Sequence, residues 1–148
     1  MRLVLFEPDI PQNAGSLIRL GACMGVAVDV VEPCGFVFSE SAMRRAGMDY
    51  LALAEVVRHA SWNAFLAQAK GRIVLATTKA AVPYAEFSFA PDDNIVLGRE
   101  SAGVPDAVHD RADARLRIPM KSGLRSINVA QAGAMLLGEA LRQTRLFP

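Results

Sequence analysis

The sequence predicts an α/β protein with a mostly parallel sheet flanked by helices, and three observations carry that expectation. Strand, helix and strand signals follow one another within residues 2–31, the pattern of a βαβ unit, whose crossover makes its two strands parallel. The apolar content of 52% and the positive mean hydropathy suit a sheet buried on both faces, a buried subunit interface, or both. The last third of the chain, Asn94 to Arg142, holds two strand-to-loop exits with polar tips and then one long helix. Such exits are where α/β proteins hold ligands. At 148 residues the chain reads as one domain, 1–148.

Arg2–Phe6 is a short apolar run stopped by Glu7-Pro8, a buried strand feeding a loop. Asn13 is placed as the N-cap of a helix whose Leu17, Ile18, Leu20, Ala22 and Met24 face the core and which Gly25 ends. Val26–Val31 is the second strand. Ser39–Ala46 reads as a short serine-capped helix carrying Arg44 and Arg45. Trp62–Lys70 has helical apolar spacing, and Arg72–Ala76 follows as a third strand with Thr77-Thr78-Lys79 at its exit. The stretch from Ala80 to Asp93 is irregular. Asn94–Leu97 is a strand, a short helix follows Pro105, and Ala114–Ile118 is the last strand. The final helix carries Val129, Ala132, Gly133, Leu136, Leu137, Ala140 and Leu141 on one face, with Ala130, Ala134 and Gly138 on another. A helix packed closely on two sides suits a sheet on one side and a second subunit on the other.

Net charge is +1, so no global basic field announces a nucleic-acid partner. Cys23 and Cys34 lack redox or zinc spacing, and His59 and His109 have no ligand-spaced neighbours, so neither a metal nor a disulfide is expected. The start lacks the long apolar run of a signal peptide and no stretch approaches a membrane span, which gives a cytoplasmic expectation. Neither a dinucleotide G-x-G-x-x-G nor a phosphate-binding G-x-x-x-x-G-K-[ST] occurs. No Ser-His-Asp, Cys-His or paired-carboxylate set can be picked out either. That combination suits an activity in which a cofactor carries the reactive group and the protein positions it. On its own, Gly98-x-Glu100-x-x-Gly103 reads equally as a tight turn before a helix.

Four segments together are more specific. They are Glu7-Pro8-x-Ile10-Pro11-x-Asn13-x-Gly15-x-x-Ile18-Arg19-Leu20, Leu97-Gly98-x-Glu100-x-x-Gly103-x-Pro105, Arg117-Ile118-Pro119-Met120 and Arg125-Ser126-x-Asn128. In these the chain resembles the SPOUT class of S-adenosylmethionine-dependent RNA methyltransferases. Arg44–Tyr50 and Thr77-Thr78-Lys79 are similar to its small TrmL type, which methylates the ribose 2′-hydroxyl of the tRNA wobble nucleotide, cytidine or uridine 34. Arg99 stands where that type often carries an uncharged residue, as in other SPOUT methyltransferases.

The resemblance implies a SPOUT fold with a C-terminal trefoil knot and a likeness over nearly the whole chain. It implies that Ala76, Thr77, Gly98, Glu100, Gly103, Ile118, Met120 and Ser126 line a pocket for S-adenosyl-L-methionine. Asn13, Arg19, Ser126 and Asn128 would lie near the methyl acceptor. A guanidinium stays protonated at ordinary pH, so Arg19 is better suited to holding a phosphate and orienting the hydroxyl than to acting as a base. Arg44, Arg45, Lys79, Lys121 and Arg125 would contact the phosphates of a tRNA anticodon loop, shared across a homodimer. The readings left open are another ribose position in tRNA or rRNA, and an RNA-binding module that has kept the fold without the activity.

Overall fold

The computed structural model describes residues 1–39 and 51–148; the helix expected at Ser39–Ala46 lies, beyond Ser39, outside the described residues, and so do Arg44 and Arg45. Among the described residues, seven strands form one sheet: β1 (Arg2–Phe6), β2 (Ala27–Val31), β3 (Val56–His59), β4 (Ile73–Ala76), β5 (Val82–Pro83), β6 (Asn94–Leu97) and β7 (Ala114–Arg117). Their order is β3-β2-β1-β6-β4-β7-β5, and every neighbouring pair is parallel. The helices are α1 (Pro11–Met24), α2 (Trp62–Leu66), α3 (Asp106–Arg111) and α4 (Val129–Thr144).

A parallel sheet must be covered on both faces, and its side chains alternate between two cores. Leu3, Leu5, Val28, Val30, Ile95 and Leu97 face one way, onto Leu17 and Ile18 of α1 and Leu136, Leu137 and Leu141 of α4. Val4, Phe6, Val31, Leu75 and Val96 face the other way, onto Phe65 of α2 and Val108 of α3. This accounts for the apolar content: β2 and β6 are buried along their whole length. The expected apolar face of α4 is the buried one, while Ala134 and Met135 on its other side are exposed.

Four local expectations differ from the structure, the first being that the stretch from Ala80 to Asp93, expected to be irregular, holds strand β5 paired with β7 and a 3-10 turn at Tyr84–Glu86. α1 begins three residues early, with Pro11 in its first turn and Ile10 rather than Asn13 at the cap position. Proline suits the first turn because its missing N–H would be unpaired there anyway. Asn13 therefore lies inside the helix, and its side chain is free of capping duty. α2 ends at Leu66 rather than Lys70; beyond it, the carbonyls of Lys70 and Arg72 accept from Asn94 Nδ2 at 2.6 and 3.2 Å. Strand β3 was absent from the expectation because it ends in two polar residues, Arg58 and His59.

The polar end of β3 is buried by a specific partner. His59 Nε2 lies 2.6 Å from Asp29 Oδ1, and Asp29 also accepts from the Arg2 guanidinium, so three adjacent strands are linked on one face. Both His59 and Asp29 are buried. Removing one member of such a buried set leaves the others unsatisfied, so Asp29→Ala is expected to cost about 3 kcal/mol of stability. A urea midpoint within error of the parent would refute that account.

Candidate functional site

Because every pairing is parallel, the carboxyl ends of β1, β6, β4 and β7 open on one edge of the sheet, where ligands of α/β proteins bind. A cavity of about 510 Å³ lies on that edge, within the range of roughly 300–1,000 Å³ usual for small-molecule sites. The exit of β4 contributes Ala76, Thr77, Thr78 and Lys79; the exit of β6 contributes Leu97–Glu100 and Ala102–Val104. The exit of β7 brings Leu116, Ile118, Met120 and Ser126–Val129, while Ile10 and Asn13 close the side nearest β1. All eight residues expected to bind the cofactor line this one cavity, as do Asn13, Asn128 and Lys79.

Other expected residues are placed differently. Arg19 does not line the cavity; it sits on the exposed stripe of α1 with Gln12, Ser16 and Cys23. Lys121 and Arg125 are exposed on the loop after β7, outside the lining. Sequence reasoning passed over His109 on α3, Ile10, Val104, Ile127 and Ala132, which all line the cavity. Apart from Ile10, which stands in the first motif, their apolar or solitary character gave no signal, since only the convergence of four strand exits brings them together.

The loop after β6 is built by its own backbone. Arg99 and Gly103 exchange two hydrogen bonds of 3.0 and 2.9 Å, and Gly103 adopts φ +67°, a left-handed conformation that favours glycine. A Cβ on Gly98 would come within 2.7 Å of the Gly103 carbonyl carbon and 2.9 Å of Val104 Cγ1. Both glycines of the G-x-E-x-x-G spacing thus serve the fold-back of the loop, which presents a preformed wall to the cavity.

The loop is also fastened to the start of α1. The guanidinium of Arg99 bonds the carboxylate of Glu7, a residue whose φ of +44° is uncommon outside glycine. Asp9 N–H donates to Glu100 Oε2 at 3.3 Å and Glu100 N–H donates back to Asp9 Oδ1 at 3.1 Å. Ser101 donates to Asp9 from both its N–H, at 3.2 Å, and its hydroxyl. The shared hydrogen bond with Glu100 holds the Asp9 carboxyl down to about 2. Burial, with the Asp9 hydrogen bond adding to it, pushes Glu100 up, and the Asn13 amide opposes the rise.

Asn13 then joins both halves of the site. Its Nδ2 donates to Glu100 Oε1 at 2.9 Å, and its Oδ1 accepts from Asn128 Nδ2 at 2.9 Å. Asn128 is the N-cap of α4: its Oδ1 accepts from the N–H groups of Ala130 and Gln131 at 2.8 and 3.3 Å. A continuous hydrogen-bonded chain therefore runs from Asp9 through Glu100 and Asn13 to Asn128 along one side of the cavity. Among the described residues, no group of three or more His, Cys, Asp and Glu could hold a metal ion, and no helix is long and apolar enough to cross a membrane.

Residues 1–138 match the model of the SpoU rRNA Methylase family. A protein of Ancylobacter novellus named tRNA (cytidine(34)-2′-O)-methyltransferase is 57% identical over 147 residues, covering 97% of this chain and 93% of its own. A solved structure described as giving structural insights into the 2-OH methylation of C/U34 on tRNA superposes with a TM-score of 0.90 at 35% identity, covering 96% of this chain and 94% of that one. An AdoMet-bound rRNA methyltransferase from Sinorhizobium meliloti superposes with a TM-score of 0.83 at 27% identity, covering 95% of this chain and 55% of that one.

Two expectations follow from the hydrogen-bonded chain. Asn128→Ala removes a helix cap and the link to Asn13, so it should lower stability by about 1 kcal/mol, read as a shifted denaturant midpoint. Asp9 has a folded-state pKa below its ordinary value, so its stabilisation is complete above about pH 4 and is lost as pH falls towards about 2. The stability difference between the parent and Asp9→Asn should therefore close over that window; a constant gap would contradict the assignment.

Proposed function

The chain belongs to the SpoU rRNA Methylase family, and on that premise we propose that it methylates the ribose 2′-hydroxyl of the wobble nucleotide, cytidine or uridine 34, in tRNA. The observation that carries the reading is the cavity of about 510 Å³ with the Glu100–Asn13–Asn128 chain along its side, in a protein 57% identical to a relative named for that reaction. The cavity suits S-adenosyl-L-methionine in size and in its mix of apolar walls and backbone-rich loops. Ala76, Thr77, Gly98, Gly103, Ile118 and Met120 would hold it. When bound, that cofactor supplies a methyl group already activated by a sulfonium, so orientation of the acceptor oxygen supplies much of the rate.

The chain's own residues supply that orientation. Asn13 has its amide nitrogen and oxygen committed to Glu100 and Asn128, so it is a rigid part of the wall. Ser126 lines the cavity with an exposed side chain that can meet the acceptor ribose. Arg19 holds a substrate phosphate and orients the 2′-hydroxyl, as a permanently charged fork should. Lys79, Lys121 and Arg125, with Arg44 and Arg45, contact anticodon-loop phosphates, where a splayed ribose is reachable.

The protein acts as one methyltransferase domain, residues 1–148, in the cytoplasm, and as a homodimer. The exposed Ala134 and Met135 on α4 support a pairing surface there. The last third is knotted in this reading; α4 packs back against α1 and β6 after leaving β7, in keeping with a threaded return.

Purified protein should bind S-adenosylmethionine and transfer a labelled methyl to position 34 of unmodified tRNA. Stoichiometric cofactor binding without transfer to any RNA would sink the enzymatic reading. Arg19→Ala should reduce transfer at least about 100-fold, as expected for loss of orientation, with cofactor affinity kept. A parallel loss of cofactor binding would show that Arg19 has another role.

A further inference from the structure

We propose that Asp9 is a positioning residue for methyl transfer: through its bonds to Glu100 and Ser101 it sets the pose of the Glu100 carboxylate, which in turn holds Asn13 on the acceptor side of the cavity. The inference rests on the functional reading above.

Three segments meet at Asp9. Its carboxylate takes the N–H groups of Glu100 and Ser101 and the Ser101 hydroxyl, and its own N–H is given to Glu100. Behind it, Gly35 approaches so closely that a Cβ there would lie 2.7 Å from Asp9 Cβ and 2.8 Å from its Cα, and Gly35 N–H donates to the Pro8 carbonyl at 2.9 Å. The loop after β6 does not need Asp9 for its shape, because Arg99 and Gly103 close it internally. With the Arg99–Glu7 pair already fastening the loop, what Asp9 adds is how Glu100 points. Glu100 spreads its two oxygens over Asp9 N–H and Asn13 Nδ2, so its pose is set by groups at the start of the helix that carries Arg19.

The charge of Asp9 adds to the geometry. The carboxyl is held ionised down to about 2, so it is a permanent anion beside Glu100 at neutral pH, and that contact helps raise Glu100. Among the described residues, the other charged or titratable groups on the two loops and in the cavity lining are Glu7, Arg99, Lys79 and His109. Asp9→Asn keeps the size of the side chain and removes the charge. Gly35→Ala leaves Asp9 intact and displaces it from the other side.

The test measures S-adenosylmethionine affinity by calorimetry, kcat and KM on unmodified tRNA across pH, and the Glu100 carboxyl titration by carbon NMR, in the parent, Asp9→Asn and Gly35→Ala. Asp9→Asn should lower kcat about tenfold or more while cofactor affinity changes less than about threefold, the split expected of lost orientation. The Glu100 titration should move down towards the ordinary carboxylate range, and the acidic limb of kcat should move to lower pH with it. Gly35→Ala should give the same kcat-selective loss and keeps the question open to test if Asp9→Asn fails to fold. Parental kcat and pH profile in Asp9→Asn would overturn the proposal, as would a matched loss of cofactor affinity and kcat. If the parent transfers no methyl to RNA, the functional reading fails instead; an unchanged Glu100 titration in Asp9→Asn would then overturn the positioning role on its own.

Discussion

Parallel pairing of β1 with β6 is the constraint from which the site follows. The register sets Leu5 against Leu97, so the residues that leave the two strands emerge side by side and in step. Glu7 meets Arg99, Asp9 meets Glu100 and Ser101, and Asn13 reaches Glu100 from the first turns of α1. None of these groups is near its partner in sequence; Asp9 and Glu100 are 91 residues apart, and Glu7 and Arg99 are 92. Their proximity is a property of the sheet.

The sheet can impose this because its centre is apolar on both faces. Leu3, Val4, Ile95 and Val96 are fully buried, and a slip of one residue would turn each side chain into the wrong core. The polar residues at the strand exits are therefore held by a register that they do not themselves determine. That support lets Glu100 stay partly buried with a raised pKa, a cost that burial imposes on a carboxylate and that its hydrogen bonds offset in part.

The elements that could be read in the sequence were those whose apolar pattern states their environment. β1, β6 and the buried face of α4 are of this kind, and so is the α/β class. β3 was hidden because His59 is buried by Asp29, a partnership that hydropathy cannot register. Asn13 looked like a helix cap by residue type, but Pro11 starts α1 earlier, with Ile10 at its cap position, and the asparagine that does cap a helix is Asn128, at the start of α4. The cavity lining expected from the family motifs converges on one cavity, whereas the Asp9 and Glu7 contacts could not be read without knowing that β1 and β6 are neighbours.

The same pairing has a bearing on how the chain folds. β1 lies in the interior of the sheet with β2 on one side and β6 on the other, yet β2 is complete by Val31 and β6 begins only at Asn94. During synthesis the βαβ unit of residues 2–31 exists for some time with one edge of β1 unpaired, and an open strand edge invites wrong partners. The closing contacts are long in sequence, which slows their formation relative to local structure. The acceptor wall consequently cannot be completed until the second half of the chain has been made, and a chain stalled before Leu97 carries the first motif without the loop that gives it its shape.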